Sequence, residues 1–283
     1  MEEFQFHAPG TLDEALKLRS EYNGDAMLLS GGTALAILLK QSLVQPEHII
    51  SLHKVPGLTG IKHEDGMLRV GAFTTQREME QSPLVREHTP LLANTYSRVA
   101  TVRIRNVATV GGGIAQADPA MDPPASLLIL GASAKLNSTR GERIVPLNEI
   151  YADYYETTIE PDEILTELQV PVQPKGEWLY TKYLPRTEDD YATVSVSALG
   201  RVENGKIAEV RVGLGAVAST ALRAKDLEES LKGASVSKDA IREAAQGIAG
   251  IVDPTDDVRG SADYKRDMAV VFTRRALEKV LGA

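Results

Sequence analysis

The chain has 283 residues, 43% apolar and 25% charged, with a formal net charge of −8 at pH 7, the profile of a globular protein with core enough for two domains. Its dispersed acidic balance offers no basic stripe for a nucleic acid, and no apolar run approaches the roughly 20 residues of a bilayer span. Cysteine is absent, which excludes disulfides, thiolate zinc sites, iron–sulfur ligation and a cysteine nucleophile within this chain. The five histidines, His7, His48, His53, His63 and His88, have no HExxH or i,i+4 spacing and point away from a metal centre. The acidic start Met1-Glu2-Glu3-Phe4 lacks the features of a signal peptide, so a cytoplasmic location is expected.

In chain order, Phe4 and Phe6 alternate with polar neighbours as in a strand, and Thr11-Leu12-Asp13-Glu14 fits a capping box opening a helix to about Tyr22. A short strand over 25–30 precedes an apolar helix over 35–43, and 48–52 reads as a buried strand ended by Val55-Pro56-Gly57. A hairpin is expected over 58–72, turning at Asp65-Gly66, then a helical pattern over 83–100. A second helix is expected over 119–130, a hairpin over 132–146 around Thr139-Arg140-Gly141, and a strand over 164–170. The linker candidate is Pro171-Val172-Gln173-Pro174-Lys175-Gly176, since its prolines and glycine interrupt both periodicities. Beyond it come strands over 177–184, 192–202 and 206–218, with an Asn204-Gly205 hairpin signal, and helices near 221–232, 237–250 and 261–281. Strands followed by a run of helices indicate an α+β module.

Two glycine-rich segments carry the functional signal. Met27-Leu28-Leu29 leads into Ser30-Gly31-Gly32-Thr33-Ala34-Leu35, and Ala108-Thr109-Val110 into Gly111-Gly112-Gly113-Ile114. Loops without Cβ atoms can turn successive N–H groups onto an anion, and two of them suit a cofactor with two phosphates. Each alone is equally readable as a tight turn. A P-loop is absent, and Gly111–Gln116 lacks the third glycine and the position of a Rossmann fingerprint.

With these segments the chain resembles the medium, FAD-binding subunits of the xanthine dehydrogenase / carbon monoxide dehydrogenase family of molybdenum hydroxylases. The family's A-G-G-T/Q/H segment is matched by Ser30-Gly31-Gly32-Thr33, and its T-I-G-G-N segment by Thr109-Val110-Gly111-Gly112-Gly113. Its A-D-P-x-x-D motif is matched by Ala117-Asp118-Pro119-Ala120-Met121-Asp122. Arg103-Ile104-Arg105-Asn106, Lys182-Tyr183-Leu184-Pro185-Arg186 and Arg259-Gly260-Ser261-Ala262-Asp263-Tyr264 look like further family signatures, so that the likeness spans nearly the whole chain.

The resemblance implies an α+β protein: a two-subdomain FAD-binding fold of the vanillyl-alcohol-oxidase (PCMH) type over 1–174, with subdomains of about 1–57 and 58–174, and a C-terminal α+β domain over 177–283 built on a three-stranded antiparallel sheet. It implies non-covalent FAD, with Leu29, Ser30, Gly31, Gly32, Thr33, Ala34 and Leu35 around the pyrophosphate and Thr109, Gly111, Gly112 and Gly113 approaching from the other subdomain. The family usually has Asn where Gly113 stands, which leaves one side-chain hydrogen bond missing or supplied by Gln116. Asp122 matches an aspartate that binds ribose or ribityl hydroxyls, Ala100 and Leu165 match backbone contacts of the flavin half, and Lys182 a cation at the isoalloxazine edge. The segment 186–191 matches a loop beside the flavin. On their own residues, Thr33 and Asp122 also read as helix N-caps, Ala100 and Leu165 as core, and Lys182 as a solvated lysine.

No catalytic acid, base, nucleophile or metal is expected here. What the resemblance implies is an electron-transfer subunit that receives electrons from a two-iron two-sulfur small subunit, itself fed by a molybdopterin large subunit, and passes them to an external acceptor. A self-contained FAD-dependent oxidase and an FAD-less interaction subunit are the alternatives.

Overall fold

The computed structural model describes residues 3–184 and 186–283. Pro185, part of the Lys182–Arg186 signature, and Met1 and Glu2 of the N-terminal segment lie outside the described residues. The chain opens with β1 (Gln5–His7), α1 (Leu12–Tyr22), β2 (Ala26–Leu29), α2 (Leu35–Lys40) and β3 (His48–Ser51). These three strands form a parallel sheet in the order β1-β3-β2, with Ile49 and Ile50 buried in its middle strand. Thr11 caps α1 through Glu14 N–H, but the Glu14 carboxylate reaches Gly10 N–H rather than closing the expected box. Helix α2 stops at Lys40, three residues short of the expected end.

A five-stranded antiparallel sheet follows, built from β4 (Ile61–Glu64), β5 (Met67–Gly71), β6 (Ser133–Ser138), β7 (Gly141–Pro146) and β10 (Ile164–Pro171) in the order β4-β5-β10-β6-β7. Between β5 and β6 lie α3 (Gln76–Gln81), α4 (Pro83–His88), α5 (Pro90–Ser97), α6 (Val102–Arg105), α7 (Val110–Gln116) and α8 (Pro123–Leu130). After β7 come α9 (Leu147–Ile150), β8 (Tyr151–Asp153) and β9 (Glu156–Thr157), a short excursion that the sequence pattern did not reveal. The central core packs Leu68, Val70, Leu136, Leu168 and Val170 of the sheet against Leu92, Tyr96, Leu127 and Leu130 of the helices.

Three expectations are corrected here. The helical pattern over 83–100 is two helices, because Pro90 removes a backbone donor and restricts Thr89 before it. The second helix starts at Pro123 rather than Pro119, with prolines in its first turn, where an N–H is dispensable. The second glycine segment is not a loop: Gly111–Gly113 lie inside α7, whose N-cap is Thr109.

The C-terminal part contains β11 (Glu177–Tyr183), β12 (Val194–Glu203), β13 (Lys206–Gly215) and β14 (Leu222–Arg223), then α10 (Lys225–Leu231), α11 (Lys238–Gln246) and α12 (Ala262–Leu281). The three expected strands are antiparallel neighbours, and the two-residue β14 adds a fourth at the β13 edge where a helix start was expected. Helix α11 ends at Gln246, short of the expected end at 250, and a 3₁₀ turn occupies Gly247–Gly250. Helix α12 covers β11 and β12, burying Ala269, Ala276, Leu277 and Val280 against Val194, Val196 and Ala198. The other side of this sheet meets α8 and α5, where Tyr180 and Leu199 pack with Leu91 and Ile129.

Candidate functional site

The first glycine segment leaves the carboxyl end of a parallel strand, β2, the place where α/β sheets present ligands. Gly32 has φ +70°, which lets the chain reverse into α2. Gly31 is required by contact: a Cβ there would stand 2.1 Å from the Val107 carbonyl oxygen. Helix α2 has Ala34 at its N-cap position and no side-chain cap, so Thr33 does not serve as one. Among the described residues, the amide N–H groups of Gly31, Gly32, Thr33 and Ala34 find no acceptor in the chain. Four half-buried donors in succession, with no internal partner, form a site suited to an anion. Leu29 and Leu35 flank them, half-buried and buried, as the apolar supports of the turn.

The second segment is built differently. Val110 N–H donates to Thr74 O at 2.9 Å, Gly111 N–H to Ala72 O at 2.8 Å, and Gly113 N–H to Thr109 O at 3.0 Å. Gly112 N–H donates to the Thr109 hydroxyl at 3.1 Å. Its amides are spent within the chain, and its glycines serve close approach instead. A Cβ on Gly111 would stand 2.6 Å from Ala72 Cβ, and one on Gly112 2.7 Å from Thr109 Oγ1. At Gly113 the nearest atom would be the mobile Met121 methyl, 2.7 Å away, with Gln76 Nε2 at 3.6 Å. The two segments meet directly, since Ser30 Oγ and Thr109 Oγ1 lie 2.6 Å apart.

Asp122 and Lys182 come together from opposite sides of the boundary with the C-terminal sheet. Their Oδ2 and Nζ atoms are 3.0 Å apart, both side chains only 4% exposed. Tyr180 donates its hydroxyl to Asp122 Oδ1, and Lys182 also donates to Arg98 O at 3.0 Å. Burial pushes the Asp122 carboxyl up, against the opposing pull of the Lys182 ammonium and the Tyr180 hydrogen bond. Neither bland alternative describes the pair: the Asp122 side chain caps no helix, and Lys182 is not solvated. Tyr180 was not anticipated, although it precedes Lys182 by two positions on one strand and therefore shares its face.

Ala100 has φ +38°, strained for a residue with a Cβ, in the turn that follows Arg98. Arg105 holds this turn by donating to Val99 O at 2.6 Å and Ala100 O at 2.7 Å, while its Nε pairs with Glu80 at 2.9 Å. Burial alone would raise Glu80, yet the hydrogen bonds from Arg77 and Arg105 hold it below the ordinary carboxylate range. Leu165 is buried in the central core beside a β-bulge, one residue before Thr166, whose carbonyl accepts from Ala72 N–H. Tyr191 of the 186–191 segment lies beneath the Arg259 guanidinium at 5.3 Å, with Asp118 near enough for its charge to act on the phenol, so three separately read motifs converge. Burial first, and then the Asp118 charge, raises the Tyr191 phenol.

These contacts test the fit of a dinucleotide on the residues themselves. Unspent amides at 31–34 match phosphate oxygens, and the buried Asp122–Lys182 pair adds a polar end to the same region. Gln76, 4% exposed and next to Gly113, has a carboxamide oxygen with no partner in the chain. Four unspent donors in succession describe a place prepared for an anionic ligand.

Residues 2–173 match the family model described as FAD binding domain in molybdopterin dehydrogenase, and residues 180–280 that of the CO dehydrogenase flavoprotein C-terminal domain. The carbon monoxide dehydrogenase medium chain of Hydrogenophaga pseudoflava is 36% identical over 97% of this chain and 96% of its own. The xanthine dehydrogenase FAD-binding subunit of Escherichia coli O157:H7 is 30% identical over 98% of this chain and 96% of its own. A solved structure of carbon monoxide dehydrogenase from Hydrogenophaga pseudoflava matches with a TM-score of 0.95 at 36% identity, covering 99% of this chain and 98% of that one. Quinoline 2-oxidoreductase from Pseudomonas putida 86 matches with a TM-score of 0.93 at 30% identity, covering 99% and 98%.

Proposed function

The chain belongs to the FAD-binding medium subunits of the molybdopterin dehydrogenases, and we propose that within this family it is the electron-transfer flavoprotein of a three-subunit molybdenum hydroxylase. It receives electrons from the iron–sulfur clusters of a small subunit, supplied by a molybdopterin large subunit, and delivers them to an external acceptor. The observation that supports this most directly is the contrast between the two glycine segments. The amides of 31–34 are unspent, whereas those of Val110–Gly113 are paired within the chain and the Thr109 hydroxyl holds Ser30 in place.

In this reading Gly31, Gly32, Thr33 and Ala34 bind the pyrophosphate through backbone N–H groups. Thr109 orients the first segment through Ser30, Gly112 keeps side-chain bulk away from Ser30 and Thr109, and Gly111 lets α7 pack closely on Ala72. Asp122 accepts from cofactor hydroxyls with lone pairs left over by Tyr180 and Lys182. Lys182 holds a positive charge out of water beside the flavin end, bonded to Arg98 O at the turn that leads into Ala100. Bound FAD would supply the ability to take up electrons singly and release them in pairs. The division into 1–174, itself split near 57, and 177–283 belongs to this reading, as does a cytoplasmic site of action. Among the described residues, no helix is long and apolar enough to cross a membrane.

The test is acid precipitation of the purified protein with chromatography of the supernatant. Release of all flavin as FAD is expected. Flavin retained in the pellet, released as FMN, or absent from the protein contradicts the reading.

A further inference from the structure

Arg98 closes α5 at its C-cap position, two residues before the strained Ala100. Its carbonyl oxygen accepts from Lys182 Nζ at 3.0 Å, which ties its backbone to the Asp122–Lys182 pair. Its side chain is exposed, and among the described residues its guanidinium makes no hydrogen bond and no ion pair. Arg105, whose guanidinium reaches the same turn, is instead spent on Glu80, Val99 O and Ala100 O. The free guanidinium is nonetheless felt inside the site. Burial raises the Asp122 carboxyl and, after Lys182 and Tyr180, the Arg98 charge opposes that rise. It also opposes the rise that burial and Asp122 impose on the Tyr180 phenol. A guanidinium turned away into water would act on neither.

The charges at this end of the site do not cancel. Lys182 and Asp122, 3.0 Å apart, together carry no net charge and act on a ligand as a dipole. Tyr180 is neutral, its phenol raised well above the ordinary value by burial and by Asp122. Adding Arg98, which has no acid of its own, leaves one net positive charge. An arginine at the end of a helix also complements the helix dipole. That use stabilises the fold and has no bearing on a bound cofactor, so the two roles can be told apart.

We propose that Arg98 supplies the uncompensated positive charge at the flavin end, stabilising reduced over oxidised FAD and so raising its reduction potential. This rests on the FAD reading above, in which Ala100, Leu165 and Lys182 border the flavin. A flavin that takes up electrons becomes more negative, and a cation beside it favours that state. Lys182 does not fill this role alone, because a ligand that feels its charge feels that of Asp122 as well. Arginine keeps its charge at every working pH, so the effect is not titrated away.

The experiment compares wild type with Arg98→Lys, Arg98→Gln and Arg98→Glu, each as the full FAD-loaded chain freed of unbound flavin. Anaerobic titration against reference dyes gives the two-electron midpoint potential, and the thermal midpoint is read beside it. Arg98→Gln should shift the reduced-to-oxidised ratio about tenfold toward oxidised flavin, a fall of about 30 mV for a two-electron couple. Arg98→Glu should fall further, and Arg98→Lys should stay close to wild type. The difference between wild type and Arg98→Gln should shrink at high salt, as expected of an exposed charge. A residue that only closes a helix moves the thermal midpoint and leaves the potentials alike. Should one variant fail to hold FAD, the remaining two still order the potential by charge. Equal potentials, equal falls in Arg98→Lys and Arg98→Gln, or loss of FAD from all three variants overturns the inference. If wild type itself holds no FAD, the underlying reading falls and this inference with it. If wild type holds FAD and the variants match its potential, only the role of Arg98 falls.

Discussion

Ser30 Oγ and Thr109 Oγ1 lie 2.6 Å apart across 79 residues of sequence, and this contact joins the two glycine segments. The same Thr109 hydroxyl accepts from Gly112 N–H, so one side chain caps a helix and docks the opposite segment at once. Removing the hydroxyl therefore acts on both. Thr109→Val should lose the cap, about 1 kcal/mol, together with the bond to Ser30. Ser30→Ala should lose only the latter. A double-mutant cycle by urea unfolding should return a coupling near 1 kcal/mol, and additive losses would show the contact to be incidental.

Glycines 31 and 113 should respond oppositely to a methyl group. In Gly31→Ala the new Cβ meets backbone, the Val107 carbonyl oxygen at 2.1 Å, which cannot move without separating the two segments. A loss of about 3 kcal/mol is expected, at the upper end of overpacking costs, together with loss of flavin. In Gly113→Ala the Cβ meets the end of the flexible Met121 side chain, and a helix gains about 0.5–1 kcal/mol from alanine over glycine. Stability within about 1 kcal/mol of wild type is expected from the same unfolding curves. Equal losses at the two sites would contradict the packing described for Gly31.

Much of this was legible before any coordinates, and the failures have physical causes. The strand patterns at 48–52, 164–170 and 206–218 carry Ile, Leu and Val, and each forms a strand, the last ending at Gly215. The second glycine segment misled because Gly is a poor helix former, yet Thr109 caps it and close contacts with Ala72 and Thr109 disfavour larger residues. Tertiary packing outweighs local propensity there. Asp122 and Lys182 were singled out only through a family likeness, because nothing local reveals that residues 60 apart share a buried salt bridge. Tyr180 carried a readable signal, the period of two that puts it on the face of Lys182. Thr75-Gln76-Arg77-Glu78 was equally readable as a capping box and fixes Gln76 in place.

The Asp122–Lys182 pair should be severe to break and mild to replace. Lys182→Met leaves a buried carboxylate with only Tyr180 as partner, and a loss of about 3–5 kcal/mol is expected. Adding Asp122→Asn to it should recover much of that loss, since no unpaired charge remains. Thermal unfolding of the two single variants and the double tests this. A double variant as unstable as the sum of the singles would show that the two residues act apart.

Glu80 gives the turn at Ala100 a defined pH dependence. Its carboxyl is held below the ordinary range by Arg77 and Arg105, so the folded state binds its proton less readily than the unfolded state does. The stability it contributes is present above the unfolded-state value of about 4.3 and is lost as pH falls through its lowered folded value. Glu80→Gln should be less stable than wild type near neutrality, and the difference should shrink as the medium is acidified below about pH 4. Urea midpoints between pH 3 and 7 report this; a difference that is constant over the range would contradict the assignment.

The central claim, that this subunit relays electrons rather than oxidising a substrate itself, is tested most directly by flavin bleaching under anaerobic conditions. The FAD-loaded chain is mixed with candidate aldehydes, N-heterocycles, alcohols and amines, first alone and then reassembled with its iron–sulfur and molybdopterin partners. Substrate-dependent loss of flavin absorbance is expected only in the reassembled complex. Bleaching of the isolated chain by any of these compounds at about 1 s⁻¹ or faster, the lower range of enzyme turnover, would contradict it and identify a self-contained oxidase.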